Sequence, residues 1–432
     1  MKDELVRSIE IFDYGELASS HAGEVACLAR FMQSLGPAGC GLVAVRGVPS
    51  LLSTRQALLP LARFLALAPP LQRSTILKEH KLGTDVSFKD PDRLVSSFAS
   101  QLCFGKHQEY MPPISTGGLN AESQSSHSLE YDEQIERGLD QLGFLFKELG
   151  QAMVELGLLV ARLCDMAIPG VGLEEAILQA CTAKGRLIHY HSLLDGSFLR
   201  VLSSMVSKAN KMKKMEQVKG VSAPTTIKAL SSNDLWQQWH FDYGILTVLT
   251  VPMFLSISDI DWSYAGAQLL SSDARSSCAA NNVDFDTMSR HIGLKVLNTG
   301  DGCVEFVSVP PDCLIIQVGE VAQILTGGKL QATAHCVCRP PERPDISRET
   351  FVVFLQPAWH KELHCPSSVT DAGMHDHLDC KDPVTLDSKE FQEVQRVVPS
   401  LQSRWKNGSS FAEFSKETTK QYYGANGAQA KR

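Results

Sequence analysis

The chain has 432 residues, 44% of them hydrophobic and 21% charged, which is the composition of a globular protein and excludes wholesale disorder. Its formal net charge of −7 argues against a dedicated nucleic-acid-binding protein, which usually has a basic excess. The best apolar stretch, residues 245–257, is too short to span a bilayer, and the acidic start differs from a secretory signal. We therefore expect a cytoplasmic protein, with the nucleus as the alternative, that is a monomer without a membrane or nucleic-acid partner.

The first part of the chain predicts short strands followed by long helices. Residues 8–13 alternate apolar and polar side chains, and residues 39–49 are an apolar run bounded by glycine and proline, so both predict strands. Residues 56–67 predict a helix, whereas residues from about 70 to 130 have weak periodicity and predict a partly ordered connection. From 131 to 168 apolar residues recur every three or four positions, which predicts one long amphipathic helix or two in sequence.

The second part of the chain is rich in predicted strands. A strand begins near residue 186, and the β pattern continues to about residue 357, as in a β-sandwich or jelly roll. We predict a mostly β fold with flanking helices (α+β). The predicted parts are a helical region whose short strands complete the sheet (1–185), a jelly-roll core (186–357) with insertions at about 197–234 and 256–291, and a polar, partly disordered C-terminal extension (358–432).

The most informative segment is Trp239-His240-Phe241-Asp242, which runs directly into an apolar stretch. Residues two apart on a strand project to the same face, so the imidazole of His240 and the carboxylate of Asp242 can converge on one metal ion. A later strand-like segment supplies a third candidate ligand, His335. Two histidines and one carboxylate leave open positions on an octahedral ion, which suits non-haem Fe(II) that binds a co-substrate and dioxygen together.

Other histidine–acid pairs with the same spacing compete for this role. They are His107 with Glu109, His360 with Glu362, and His377 with Asp379. The first two lie in polar, weakly periodic stretches without a rigid strand to aim them, and the third has no histidine after it. The sequence therefore favours His240, Asp242 and His335 as the metal ligands.

A further strand-like segment, residues 348–354, offers a site for a carboxylate. Alternation along a strand places Arg348 and Thr350 on one face. The guanidinium fork of arginine pairs bidentately with a carboxylate, and a hydroxyl can add a hydrogen bond. These residues would suit the far carboxylate of a 2-oxo diacid whose other end chelates the metal, and the alternative is an ordinary surface arginine.

Together these motifs resemble the isopenicillin-N-synthase-like branch of the 2-oxoglutarate/Fe(II) dioxygenases, a branch with many plant members. The matching segments are WHFDYGILTVLTVPMF (239–254), GLKVL (293–297), VPPDCLIIQVGEVAQILTGGKLQATAHCV (309–337) and RETFVVFLQP (348–357). The resemblance covers most of residues 8–357 and is sharp from 239 to 357.

The resemblance implies a double-stranded β-helix (jelly-roll) core with a long helix of the N-terminal half packed on it. It implies an enzyme, a non-haem Fe(II)/2-oxoglutarate-dependent dioxygenase. Such an enzyme would hydroxylate or desaturate a small organic substrate and release succinate and CO2. The implied cofactors are Fe(II), 2-oxoglutarate as co-substrate and dioxygen, with ascorbate as a further candidate.

The same resemblance assigns roles residue by residue. His240, Asp242 and His335 would bind iron, while Arg348, Thr350 and Tyr190 would hold 2-oxoglutarate. The chain departs from the family where Ile188 replaces the usual Asn two residues before the tyrosine. It also departs where Glu320 replaces an Asp and Cys336 replaces an Arg.

Two other functions stay open. One is a family oxidase that uses iron without 2-oxoglutarate, because such oxidases can keep the Arg348 and Thr350 pair. The other is a catalytically silent relative that acts as a binding or scaffold protein, which the two insertions and the replacements at Ile188 and Cys336 favour.

Overall fold

The computed structural model describes residues 6–19, 25–105, 127–212, 235–256, 281–282, 293–298, 303–340, 343–366 and 389–424. Its helices are α1 (Tyr14–Ala18), α2 (Val25–Leu35), α3 (Leu51–Leu67), α4 (Pro70–Glu79), α5 (His127–Asp140), α6 (Leu142–Ala167), α7 (Leu173–Ala180), α8 (Leu193–Met212), α9 (Glu320–Thr326), α10 (Lys389–Val397), α11 (Leu401–Arg404) and α12 (Phe411–Tyr423). Its strands are β1 (Val6–Ser8), β2 (Ile11–Asp13), β3 (Leu42–Arg46), β4 (Gly83–Thr84), β5 (Val95–Cys103), β6 (Thr182–Tyr190), β7 (Leu235–His240), β8 (Leu246–Thr250), β9 (Met253–Ser256), β10 (Asn281–Asn282), β11 (Gly293–Leu297), β12 (Val304–Ser308), β13 (Cys313–Val318), β14 (His335–Cys338) and β15 (Ile346–Leu355).

Two sheets face each other in the described part of the chain. The smaller sheet has the order β1-β12-β11-β14-β7, and the larger has the order β2-β3-β13-β8-β15-β6-β5-β4, with β9 and β10 beside β15. Inward-facing apolar side chains of both sheets, such as Trp236, Leu249, Ile315 and Val337, form one buried cluster between them. The predicted jelly-roll fold with flanking helices is thereby confirmed.

The outer face of the larger sheet is covered by the long helices. Apolar positions of α6 recur at helical spacing and are buried in the main core together with α3 and the outward residues of β8 and β15. Gly157 of α6 lies against this sheet, where an added Cβ would sit 2.0 Å from Leu355 Cδ1. The predicted helix over 131–168 is observed as the consecutive helices α5 and α6.

The outer face of the smaller sheet is covered by the C-terminal helices. Phe391 and Val394 of α10 and Tyr422 of α12 are buried against Trp239 and Phe241, which belong to the segment of the predicted metal ligands. Residues 389–424 of the predicted polar extension are therefore built into the fold, because their helices present an apolar face to the sheet. The division of the chain into three parts and the partial disorder of the extension stay predictions.

The weakly periodic region from 70 to 130 differs from its prediction. It contains α4 and the nine-residue strand β5, which pairs with β6 along its whole length. Residues 106–126 of this region lie outside the described residues, as does most of the two predicted insertions. The first insertion begins inside α8, at Ser197. None of the described helices combines the length and the apolar composition that a bilayer crossing requires.

Candidate metal centre

Two neighbouring strands of the smaller sheet and the loop after one of them bring the three predicted metal ligands together. His240 ends β7 and His335 begins β14, and the two residues are direct partners in the antiparallel register. Asp242 follows in the loop after β7, with Oδ1 3.9 Å from His240 Nε2. One ligand atom from each residue lies within 4.8 Å of the other two. A single ion can therefore contact all three.

The second polar atom of each side chain is already held by the protein. His240 Nδ1 lies 2.8 Å from the carbonyl oxygen of Gln238, and His335 Nδ1 lies 3.0 Å from that of Thr333. An Nδ1–H that donates to a carbonyl leaves the Nε2 lone pair for a metal. The amide of Gln317 also lies 2.6 Å from His335 Nδ1, and its nitrogen and oxygen are interchangeable in shape. The tautomer that binds a metal through Nε2 is thus favoured at both histidines.

The electrostatics of His240 agree with this role. Burial and the neighbouring ring of His335 lower the pKa of His240 to about 4. The imidazole is therefore neutral at neutral pH, as a metal ligand must be. The carboxylate of Asp242 accepts a hydrogen bond from Thr247 Oγ1 at Oδ2, 2.7 Å away, which leaves Oδ1 toward His240.

The loop that carries Asp242 is fixed by the start of α9. The backbone N–H of Glu320 donates to the carbonyl of Asp242 at 2.8 Å, and that of Val321 donates to the carbonyl of Gly244 at 3.0 Å. Gly319 allows this approach, because an added Cβ would lie 2.2 Å from the carbonyl oxygen of Gly244. The orientation of the Asp242 backbone is therefore set by α9.

The C-terminal helices support the same region. Glu320 forms a fully buried ion pair with Arg404 of α11, whose Nη1 donates to Oε2 at 2.7 Å. The hydroxyl of Tyr422 in α12 accepts a hydrogen bond from the backbone N–H of Phe241 at 3.2 Å. Glu320 thus reaches a partner in the C-terminal segment.

The predicted co-substrate residues lie on the inner face of the larger sheet. Arg348 of β15 is directly opposite Tyr190 of β6, and its guanidinium carbon lies 4.8 Å from the centre of the tyrosine ring. The side chain is buried, yet Nε and Nη1 have no hydrogen-bond partner among the described residues. A buried guanidinium with unmet donors is costly unless an acceptor joins it. The chemistry of this position fits a carboxylate ligand.

The other two predicted co-substrate residues have partners of their own. The hydroxyl of Thr350 lies 3.3 Å from both the hydroxyl and the carbonyl oxygen of Thr250. Tyr190 donates from its hydroxyl to Gln237 Oε1 at 2.8 Å, and Gln237 Nε2 lies 2.9 Å from His240 Nε2. Gln237 therefore links the arginine site to the metal site, and the sequence pattern alone did not single it out. Ile188 is buried and is the strand partner of Thr350.

The competing histidine–acid pairs do not form a comparable site in the described residues. His360 and Glu362 are both exposed, outside the sheets that carry the ligands. The pairs that begin at His107 and His377 lie outside the described residues. Cys336 and Cys338 are buried on the outer face of the smaller sheet, away from the metal face, as the alternation predicts.

Comparison with known proteins bears directly on this arrangement. Residues 286–357 match the sequence model of the 2OG-Fe(II) oxygenase superfamily, a segment that includes His335, Arg348 and Thr350. This match and the cluster of His240, Asp242 and His335 agree with the predictions of an Fe(II)/2-oxoglutarate-dependent dioxygenase and of Fe(II), 2-oxoglutarate and dioxygen as its cofactors. No curated protein sequence matches the chain.

Solved structures resemble this chain at low sequence identity. JOX2 in complex with 2OG, Fe and JA is 13% identical, with a TM-score of 0.50, and the alignment covers 96% of this chain and 86% of JOX2. A full-length Neurospora crassa protein in complex with alpha-KG and thymine is 13% identical, with a TM-score of 0.49 and 97% of each chain covered. The dioxygenase for auxin oxidation 1 of Arabidopsis thaliana, with 2-oxoglutarate, is 16% identical, with a TM-score of 0.47, covering 84% of this chain and 98% of that one.

Proposed function

We propose that the chain is an Fe(II)- and 2-oxoglutarate-dependent oxygenase that hydroxylates or desaturates a small organic substrate and releases succinate and CO2. The observation that carries this proposal is the buried guanidinium of Arg348 with unmet donors, on the inner face of the same fold that brings His240, Asp242 and His335 together. Buried guanidinium N–H groups without acceptors favour the binding of an anionic ligand. They favour a protein that binds a carboxylate at this position over one that binds nothing there.

Each residue has a proposed task. His240, Asp242 and His335 hold the metal through Nε2, Oδ1 and Nε2, with their other polar atoms fixed as described. Arg348 binds the far carboxylate of 2-oxoglutarate, and Thr350 and Tyr190 complete its surroundings. Bound iron would supply the site where 2-oxoglutarate and dioxygen react.

The surrounding residues keep water from this reaction. Trp236, Leu249 and Phe254 are buried in the cluster between the sheets, and Phe254 is a strand partner of Arg348. An apolar enclosure strengthens the pairing of Arg348 with a carboxylate and shields a reactive species from solvent. The small organic substrate would enter from the open side of the metal.

The test is oxygen-dependent formation of succinate by the iron-loaded protein from 2-oxoglutarate, with panels of small organic molecules followed by mass spectrometry for gain of oxygen or loss of two hydrogens. We expect succinate from the wild type and none above background from His240→Ala or Arg348→Ala. Arg343→Ala is the matched control, because Arg343 is an exposed arginine near the start of β15 that pairs with Asp345. It should turn over at the wild-type rate.

The outcomes separate the competing functions. Substrate oxidation with iron but without 2-oxoglutarate would assign the oxidase, and absence of any iron-dependent turnover would assign a silent binding protein. The use of ascorbate, the monomeric state, the cytoplasmic location and the lack of nucleic-acid and membrane partners stay predictions.

A further inference from the structure

A second group of metal-binding residue types lies on the opposite side of the larger sheet. His189 on β6, His191 just after it and Asp195 in the first turn of α8 each offer one ligand atom within 4.8 Å of the other two. All three are at most 2% exposed. His189 precedes Tyr190 on β6 and points to the outer face, so this group is separate from the iron site and lies behind the co-substrate residues.

Both imidazoles are hydrogen-bonded at one nitrogen and not at the other. His189 Nδ1 lies 2.9 and 3.0 Å from the carboxylate oxygens of Glu349, and His191 Nε2 lies 2.8 Å from Ser96 Oγ. Within the described residues, His189 Nε2 and His191 Nδ1 have no hydrogen-bond partner. Metal-binding histidines characteristically donate their second N–H to a carboxylate or another acceptor, which fixes the lone pair that faces the metal.

The carboxylate of Asp195 is oriented in the same way. Its Oδ1 accepts a hydrogen bond from Arg63 Nη2 at 2.9 Å, and its Oδ2 accepts one from the backbone N–H of Ser192 at 3.0 Å. Oδ2 also lies 3.5 Å from His189 Nε2, a distance at the outer limit of a hydrogen bond that makes the two groups an ion pair when His189 is protonated. Two ligands of a tetrahedral zinc ion with bonds of about 2.0–2.1 Å are about 3.3–3.4 Å apart, so the observed separation fits an ion between them.

We propose that His189, His191 and Asp195 bind a Zn²⁺ ion as a second, structural metal site. Two imidazoles and one carboxylate are common zinc ligands, and the enclosed position leaves a water molecule as the fourth ligand instead of a substrate. The ion would fasten the first turn of α8, and so the beginning of the first insertion, to β6 behind Tyr190.

A proton is the competing occupant of this position. Burial lowers the pKa of His189, but the facing carboxylates of Glu349 and Asp195 raise it, with a net pKa of about 9 in the metal-free protein. The pocket therefore stabilises positive charge at Nε2, whether a proton or a metal ion supplies it. Measurement of the bound metal distinguishes the two.

The experiment uses the full chain with the iron site removed by His240→Ala and His335→Ala, produced in zinc-supplemented medium. Elemental analysis should find about one tightly held zinc per chain in this double variant. Adding His191→Ala should abolish the zinc, whereas adding His364→Ala should leave it unchanged, because His364 is an exposed histidine paired with Glu362.

Cobalt provides a reading that does not depend on the folding of the His191→Ala protein. The double variant produced with cobalt in place of zinc should show the intense visible bands of tetrahedral Co²⁺, which octahedral Co²⁺ lacks. Absence of both zinc and tetrahedral cobalt from the double variant would overturn the proposal and assign the position to a proton on His189. Zinc that survives His191→Ala would overturn it as well.

Discussion

Replacement of Arg404 by methionine tests how the C-terminal helices support the metal loop. The side chains of Arg404 and Glu320 are both 0% exposed, so solvent screens neither charge. Two guanidinium nitrogens contact the two carboxylate oxygens, and Nη1 also lies 3.2 Å from Thr418 Oγ1. Methionine keeps much of the volume but leaves the carboxylate of Glu320 buried without its guanidinium. Breaking a buried pair in this way costs about 3–5 kcal/mol.

The free energy of unfolding is measured by urea denaturation of the iron-free protein. The matched control is Arg396→Met, because Arg396 forms an ion pair with Glu393 on the surface of the same C-terminal segment, with side chains 67% and 34% exposed. An exposed pair contributes about 1 kcal/mol or less. The double variant Arg404→Met/Glu320→Met should recover most of the lost stability, because it removes both charges and not one.

The same change should also weaken iron binding. Glu320 begins the helix whose backbone N–H groups hold the carbonyls of Asp242 and Gly244, so its displacement would loosen one metal ligand. Iron affinity should fall in Arg404→Met and recover in the double variant. A loss of less than about 1 kcal/mol for Arg404→Met, or a double variant no more stable than the single one, would refute the reasoning.

Four further substitutions probe other parts of the site and the fold. Thr247→Val removes the hydroxyl that donates to Asp242 Oδ2, and should lower the affinity for Fe(II) about 10–100-fold in an anaerobic titration; unchanged affinity would contradict the role of this contact. Gly157→Ala should destabilise the fold by about 1–3 kcal/mol, because its Cβ would meet Leu355. Gly196→Ala should stabilise the fold by about 0.5–1 kcal/mol, because Gly196 lies in a helix with open space around it. Equal thermal midpoints for the two variants would be inconsistent with both expectations. Tyr422→Phe removes the acceptor for the Phe241 N–H, and a cost of about 1–3 kcal/mol is expected in urea denaturation; no loss of stability would mean that another group takes over as acceptor.

Much of the jelly roll was predictable because its strands contain alternating apolar and polar residues or continuous apolar runs. The segment around His240 and Asp242 leads into β8, every residue of which is buried, and β15 follows the segment of His335. Because side chains alternate along a strand, Arg348 and Thr350 were predicted to share one face of β15, and their neighbour Glu349 points to the opposite face. These are short-range consequences of the two-residue period of a strand.

The strand β5 was missed for a physical reason. Its sequence contains serines and a glutamine, which hide the apolar pattern. Two of these serines are buried because they find specific partners: Ser96 contacts His191, and Ser97 accepts a hydrogen bond from Arg186. When a polar residue is buried because it binds a partner distant in the sequence, its own segment does not show that it forms a buried strand.

The support of the metal site was also hidden from the sequence. Gln237 and Tyr422 act through contacts that exist only when strands and helices distant in the sequence meet. The C-terminal helix α10 did carry a signal, because Phe391, Val394 and Val397 recur every three residues. Its polar composition outweighed this spacing in the prediction of a polar extension.

The most direct test of the central claim is an anaerobic titration of the metal-free protein with Fe(II) and then 2-oxoglutarate, with the visible absorption recorded. We expect a charge-transfer band for the wild type, loss of the band in His240→Ala, a weakened band in Arg348→Ala, and an unchanged band in the Arg343→Ala control. Iron binding without any band on addition of 2-oxoglutarate would contradict the assignment of Arg348. Failure of the wild type to bind iron would contradict the metal site itself.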